Sequence, residues 1–274
     1  MKTTKNLMML LLSFVMISST GFVTDTVQDQ PQYVVVTTMH WNMDYENFDM
    51  DTWKAIEKEY MDKVTKKNNH IVSARYYLHQ FTADNTEILY VRTFNSWEDI
   101  DKAGKKSVEL AKAAWPDESA RNAFFDKQNA YYANEHSDEI YATLNGAKVL
   151  AAAPTKDMLL YVRKSYFTFP KDGSEEEFNK LRLEYTNNVI NKNPFIKGYY
   201  PNYHAWGASK TEFVEAFILE KMDDIDDMFE QNDKLFKAHW KTEENQKDFN
   251  KKIGNYFTGI HGDYLYSMIH GISE

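Results

Sequence analysis

Along this chain, short runs of alternating or β-branched hydrophobic residues are separated by stretches where the apolar spacing changes to three and four. That change of period divides strand from helix. Positions 33–41 predict a strand. Asp49 then stands where it can cap a helix carrying Trp53, Ile56, Tyr60 and Val64 on one apolar face, ended by Lys67-Asn68-Asn69. Two more strands, 71–81 and 86–94, flank the hairpin turn Thr82-Ala83-Asp84-Asn85. Ser96, with Asp99 three places on, forms a capping box for a second helix. Pro116 interrupts that helix or starts its successor, which bears Phe124, Gln128 and Tyr131, and a fourth strand is predicted over 136–144.

The same order is then spelled again. Sliding the chain by 125 positions lays 33–141 over 158–266 without a gap: Glu59-Tyr60 meets Glu184-Tyr185, Thr86-Glu87 meets Thr211-Glu212, and Trp115 meets Trp240. His136-x-Asp138-x-x-Tyr141 likewise meets His261-x-Asp263-x-x-Tyr266. In the second copy, strands are predicted over 158–168, 196–206, 211–220 and 261–269. Helices are predicted from the Ser174/Glu177 capping box, over 223–240, and around Phe249 and Ile253. A repeat of this length is a domain, not a solenoid unit. The chain divides into repeats at 33–144 and 158–274, joined by a linker at 145–157 that contains Gly146, an alanine run and Pro154.

The order β-α-β-β-α-β, twice over, defines an α+β protein of two tandem ferredoxin-like repeats. Helices cover only one face of such a sheet, so the other face needs a partner, and the second copy supplies it. In this duplication and element order the chain resembles the dimeric α/β-barrel superfamily, here with both protomers fused into one intramolecular barrel. The resemblance covers about 33–270 and rests on no signature motif. It implies a range of activities: cofactor-independent monooxygenases, heme-degrading and heme-binding enzymes, small-molecule isomerases, and members without known activity.

The N-terminus and the composition narrow the setting. Lys2 and Lys5 precede an apolar run from Leu7 to Ile17, followed by the small residues Ser19-Thr20-Gly21. Residues 1–21 therefore predict a secretory signal, and 22–32 a flexible lead. The expected location is exported, periplasmic or secreted, with no membrane attachment once the signal is cleaved. Absence of cysteine excludes lipid anchoring through cysteine, disulfides, thiolate catalysis and cysteine metal sites. The net charge of −9 disfavours nucleic acid as a partner. A small molecule is the expected partner, bound by a monomer with a pseudo-dimeric barrel.

Strand alternation assigns the faces. On the third strands, the compact Leu89, Val91 and Thr93, with Val214, Ala216 and Ile218, suit packing beneath helices. Ile88, Tyr90, Arg92 and Phe94 would then point into the barrel, with Phe213, Glu215, Phe217 and Leu219. The second strands would add Arg75, Tyr77, His79 and Phe81, with Tyr200, Asn202, His204 and Trp206. The first strands would add Thr38 and His40, with Tyr161 and Arg163. This predicts an interior of arginine, histidine, glutamate and tyrosine, which is either a ligand cavity or a self-satisfied network such as Arg92 or Arg163 with Glu215. The halves differ, since Arg75 matches Tyr200 and Arg92 matches Phe217, so a ligand would sit asymmetrically.

His79, His204, Arg92 and Tyr90 are the candidate catalytic residues, and Arg75, Tyr77, Arg163, Tyr200 and Glu215 the candidate ligand contacts. The matched histidines suit proton transfer or iron, and equally a hydrogen bond to the following hairpin. No cofactor is expected, with heme as the alternative, and no metal site is predicted. The His-x-Asp pairs and the helix glutamates Glu59 and Glu184 read first as structural. The acidic Asp223–Asp227 run lacks the glycine and terminal glutamate of a calcium loop. There is no G-x-S-x-G, H-E-x-x-H, Walker or G-x-G-x-x-G motif. The leading expectation is an exported small-molecule-binding barrel, acting as a cofactor-independent monooxygenase or isomerase on an aromatic or apolar substrate. The alternatives are a heme-handling protein or a non-catalytic accessory module.

Overall fold

The computed structural model describes residues 31–273. The predicted signal at 1–21 and most of the lead lie outside the described residues. The first repeat runs β1 (Tyr33–Trp41), α1 (Met50–Lys63), β2 (Ser73–Phe81), β3 (Glu87–Phe94), α2 (Trp97–Ala114), α3 (Glu118–Asn129) and β4 (Tyr132–Thr143). The second runs β5 (Met158–Phe167), α4 (Glu175–Tyr185), β6 (Gly198–Trp206), β7 (Glu212–Leu219), α5 (Asp224–His239), α6 (Glu243–Gly254) and β8 (Phe257–Ser273). The caps read from the sequence hold. The Asp49 and Ser96 side chains accept from Thr52 N and Asp99 N, and Ser174 accepts from Glu177 N.

The eight strands close into one antiparallel barrel in the order β1-β3-β2-β8-β5-β7-β6-β4. Each repeat contributes four adjacent strands, and the seams are made by exchange: β8 pairs with β2 of the first repeat, and β4 with β6 of the second. Closure removes the sheet edges that a single repeat would expose. The bare faces of both sheets therefore turn inward, and the helices pack outside. Buried asparagines fasten the helices at matched positions: Asn68 Nδ2 donates to Ala103 O and Ser107 Oγ, and Asn193 Nδ2 donates to Met228 O and Asn232 Oδ1.

Two sequence expectations are corrected. The first concerns the third strands, whose faces are reversed. Leu89 and Val91, with Val214, Ala216 and Ile218, line the barrel. Ile88, Tyr90 and Phe94 pack beneath the first repeat's helices, and Phe213, Phe217 and Leu219 beneath the second's. Large rings fill the wide gap between helix and sheet, where Trp53, Ile56 and Met61 meet them.

The second correction concerns register. Val35 lies opposite Arg92, and Tyr161 opposite Phe217. The third strands thus correspond at a shift of 125 but the first strands at 126. One extra residue before β5 turns its alternation over. Leu160, Val162 and Lys164 face the barrel, while Tyr161 and Arg163 face the helices.

Candidate ligand cavity

Compact aliphatic side chains on all sides leave a cavity of about 440 Å³ inside the barrel. Val34, Val36, Leu89, Val91, Leu160 and Val162 form much of its wall, and Tyr77, Tyr141, Tyr200 and Tyr266 project into it. Its lining reaches the exposed Val72 and Val149, the latter on the segment between the repeats. That segment is pinned by a backbone bridge between Lys148 and Tyr199 and by donation from Leu150 N to the Tyr200 hydroxyl at 3.2 Å.

Polar groups in this interior follow the duplication. Tyr141 donates to Glu212 Oε2 at 2.8 Å, and Tyr266 donates to Glu87 Oε2 at 3.2 Å. Each bond links the last strand of one repeat to the third strand of the other. Burial and the adjacent carboxylate hold both phenols far above their ordinary range. Glu139 Oε1 accepts from Ala208 N at 3.0 Å, and a Cβ at Gly207, whose φ is +132°, would collide with that carboxylate. Five buried polar atoms on the barrel strands have no partner among the described residues: Arg75 Nε, Glu139 Oε2, Asn202 Oδ1 and His204 Nε2 on the inward parity, and Arg92 Nε on the helix side. Tyr77 is pushed up to about 12 by burial, with the neighbouring Arg75 guanidinium pulling against it.

The predicted site residues are split by the corrected faces. Arg75, Tyr77 and Tyr200 line the barrel cavity as expected. His79 sits by the hairpin, its Nδ1 2.7 Å from Thr82 Oγ1, and His204 shares the inward parity of Tyr200 without lining the cavity. Tyr90, Arg92, Arg163 and Glu215 belong instead to the layers between helix and sheet. Arg92 lies over the Tyr90 ring, 5.0 Å from its centroid, and Arg163 Nε donates to Asp263 at 2.9 Å. The expected pairing of either arginine with Glu215 is replaced by these contacts. Tyr199 donates to Glu215 Oε1 at 2.7 Å.

Comparison with known proteins locates the architecture. No family model matches the chain, and no curated protein matches its sequence. Among solved structures, a variant of chlorite dismutase from Candidatus Nitrospira defluvii superposes with a TM-score of 0.51 at 11% identity, covering 87% of this chain and 91% of that one. A "putative monooxygenase" from Fusobacterium nucleatum gives a TM-score of 0.50 at 10% identity, over 87% and 92% of the two chains. This chain has the dimeric α/β-barrel fold. At such identity the likeness extends to the fold alone.

Within this dimeric α/β barrel a second hollow, of about 460 Å³, lies between the helices and sheet of the second repeat. Tyr161, Arg163, Tyr185, Glu215 and Phe236 line it. Beside it α4 passes into a π turn, Thr186–Ile190, where the first repeat continues as α-helix to Lys63. Such turns recur at functional sites. The equivalent layer of the first repeat is dominated by Glu57, whose carboxylate accepts from Tyr76 and Tyr132 at 2.7 Å and from Gln128 at 3.0 Å. Sequence reading passed over Glu57, although Trp53, Glu57 and Met61 recur every four residues on the buried stripe. An acid in that register is the signal that would have found it.

Proposed function

We propose that this chain binds a small, largely apolar molecule inside the barrel. The cavity itself carries the reading. A space of this volume between mainly aliphatic and aromatic walls has the size of a pocket for a small molecule. Such a space with unpartnered polar atoms along its walls has the character of a binding site: aliphatic and aromatic walls and a few polar anchors. The N-terminal pattern of Lys2, Lys5 and the apolar run supports export of the binding protein.

Oxygenation is the chemistry suggested by the monooxygenase-type neighbour, and heme the cofactor suggested by heme-binding members of the superfamily. Among the described residues no histidine lines either cavity. His79 is committed to Thr82, and His239, on the helix covering the second hollow, has its Nε2 3.0 Å from Glu184. An axial imidazole for a macrocycle in either space is therefore not supplied. Binding is the function the geometry supports.

The test fills the space. Thermal melting of the wild-type chain is measured against a panel of small aromatic and aliphatic molecules. A ligand at 100 times its dissociation constant raises stability by about 2.7 kcal/mol. Ala216→Phe, which places a ring in the barrel, is expected to fold and to lose that protection. A wild-type melting temperature indifferent to the entire panel sinks the reading.

A further inference from the structure

The charges inside the barrel are unequally satisfied. Among the described residues three carboxylates reach the interior, and each accepts one hydrogen bond, with Glu139 Oε2 left without a partner. Glu87 accepts from Tyr266, Glu212 from Tyr141, and Glu139 from Ala208 N. Of the cations, Lys164 lies over the Tyr264 ring, 5.8 Å from its centroid. Arg163, expected inside, is outside and paired with Asp263. Arg75 alone lines the cavity with its Nε buried and unpartnered and no carboxylate in ion-pair reach among the described residues.

A guanidinium does not shed its proton under these conditions, and this partly buried one, its Nε shielded from water, favours an anion beside it. Its planar fork matches a carboxylate in two parallel bonds. Tyr77 lies on the same strand face, two residues on. Tyr200, the residue matching Arg75 in the second repeat, brings a neutral phenol instead of a second charge. Of the two cations that line the pocket among the described residues, Arg75 and Lys164, Arg75 is the one with a buried, unpartnered nitrogen, set beside a largely aliphatic wall.

We infer that the molecule bound in the barrel carries one acidic group, received by Arg75, on an aromatic or aliphatic body held by the apolar wall. This rests on the barrel cavity being the ligand site, and the test separates the two. The probes are 2-naphthoic acid and its neutral counterpart 2-naphthamide, titrated calorimetrically at neutral pH into the wild-type chain, Arg75→Gln, Arg75→Lys and Ala216→Phe.

The acid is expected to bind wild type about tenfold or more tighter than the amide, a difference of about 1.4 kcal/mol. Arg75→Gln should erase that preference while leaving amide affinity in place, and Arg75→Lys, which keeps the charge without the fork, should restore part of it. Ala216→Phe should abolish both. Equal binding of acid and amide by wild type, or a preference that survives Arg75→Gln, overturns the acidic ligand and leaves the cavity reading standing. Binding that survives Ala216→Phe, or no binding of either probe, overturns both.

Discussion

The two layers between helix and sheet began as copies and now hold opposite charges at the same place. Position 57 on α1 is glutamate; 125 residues later, on α4, it is Arg182. In the first repeat the acid is on the helix and the phenols are on the sheet, with Glu57 wholly buried amid Tyr76, Tyr132 and Gln128. In the second the acid has moved to the sheet as Glu215, where the first repeat has Tyr90, and Arg182 instead donates to Asn145 O at 2.7 Å. One layer is closed around a saturated carboxylate. The other keeps a hollow beside a carboxylate with a single phenol donor. A duplicated fold thus preserves its frame while its buried polar groups diverge, because any arrangement that satisfies them is admissible.

The largest expected effect comes from breaking the saturated layer. Glu57→Ala strands two tyrosine hydroxyls and an amide around a cavity, and should cost about 3–5 kcal/mol in urea unfolding. A loss below about 1 kcal/mol would mean that the network contributes nothing net.

Glu215→Gln probes the opposite case and should cost far less, under about 1 kcal/mol near neutrality, since only one phenol bond is altered. Its signature is in pH dependence. Burial holds the Glu215 carboxyl above its ordinary value, against the pull of the Tyr199 hydrogen bond and of Arg163 and Arg182. The folded state therefore binds the proton more tightly than the unfolded one. That contribution is fully present below the unfolded value and is lost as pH rises through the folded one. Wild-type stability should fall over that window, and the glutamine variant should fall less. Denaturant midpoints measured across mildly acidic pH for both proteins check the difference; parallel curves would contradict it.

The smallest effect tests what the repeats still share. Ser96→Ala and Ser174→Ala each remove a helix N-cap and should each cost about 1 kcal/mol, equally in both halves, by the same measurement.

Element order, the caps and the duplication were legible in the sequence because they are local. A cap requires an oxygen three residues before an amide, and an apolar stripe requires only a period. The strand that carries Arg75 and Tyr77 was also assigned to the correct face. The third strands were not, because Leu89-Val91 and Ile88-Tyr90 are both apolar enough to be buried, and period alone does not say on which side the larger gap lies. Arg163 was misplaced for a different reason: a one-residue slip between the first strands is invisible to a gapless match, yet it inverts every side chain on β5.

By itself, then, the sequence determined that two ferredoxin-like units share this chain, since their hydrophobic periods and turn residues are fixed by backbone geometry over a few residues. Only the tertiary structure decided which strands form the seams, that compact residues line the barrel and leave a cavity, and that Arg75 is left inside it without a counter-charge. Those outcomes depend on relative volume and register between segments far apart in the chain, which no local pattern encodes.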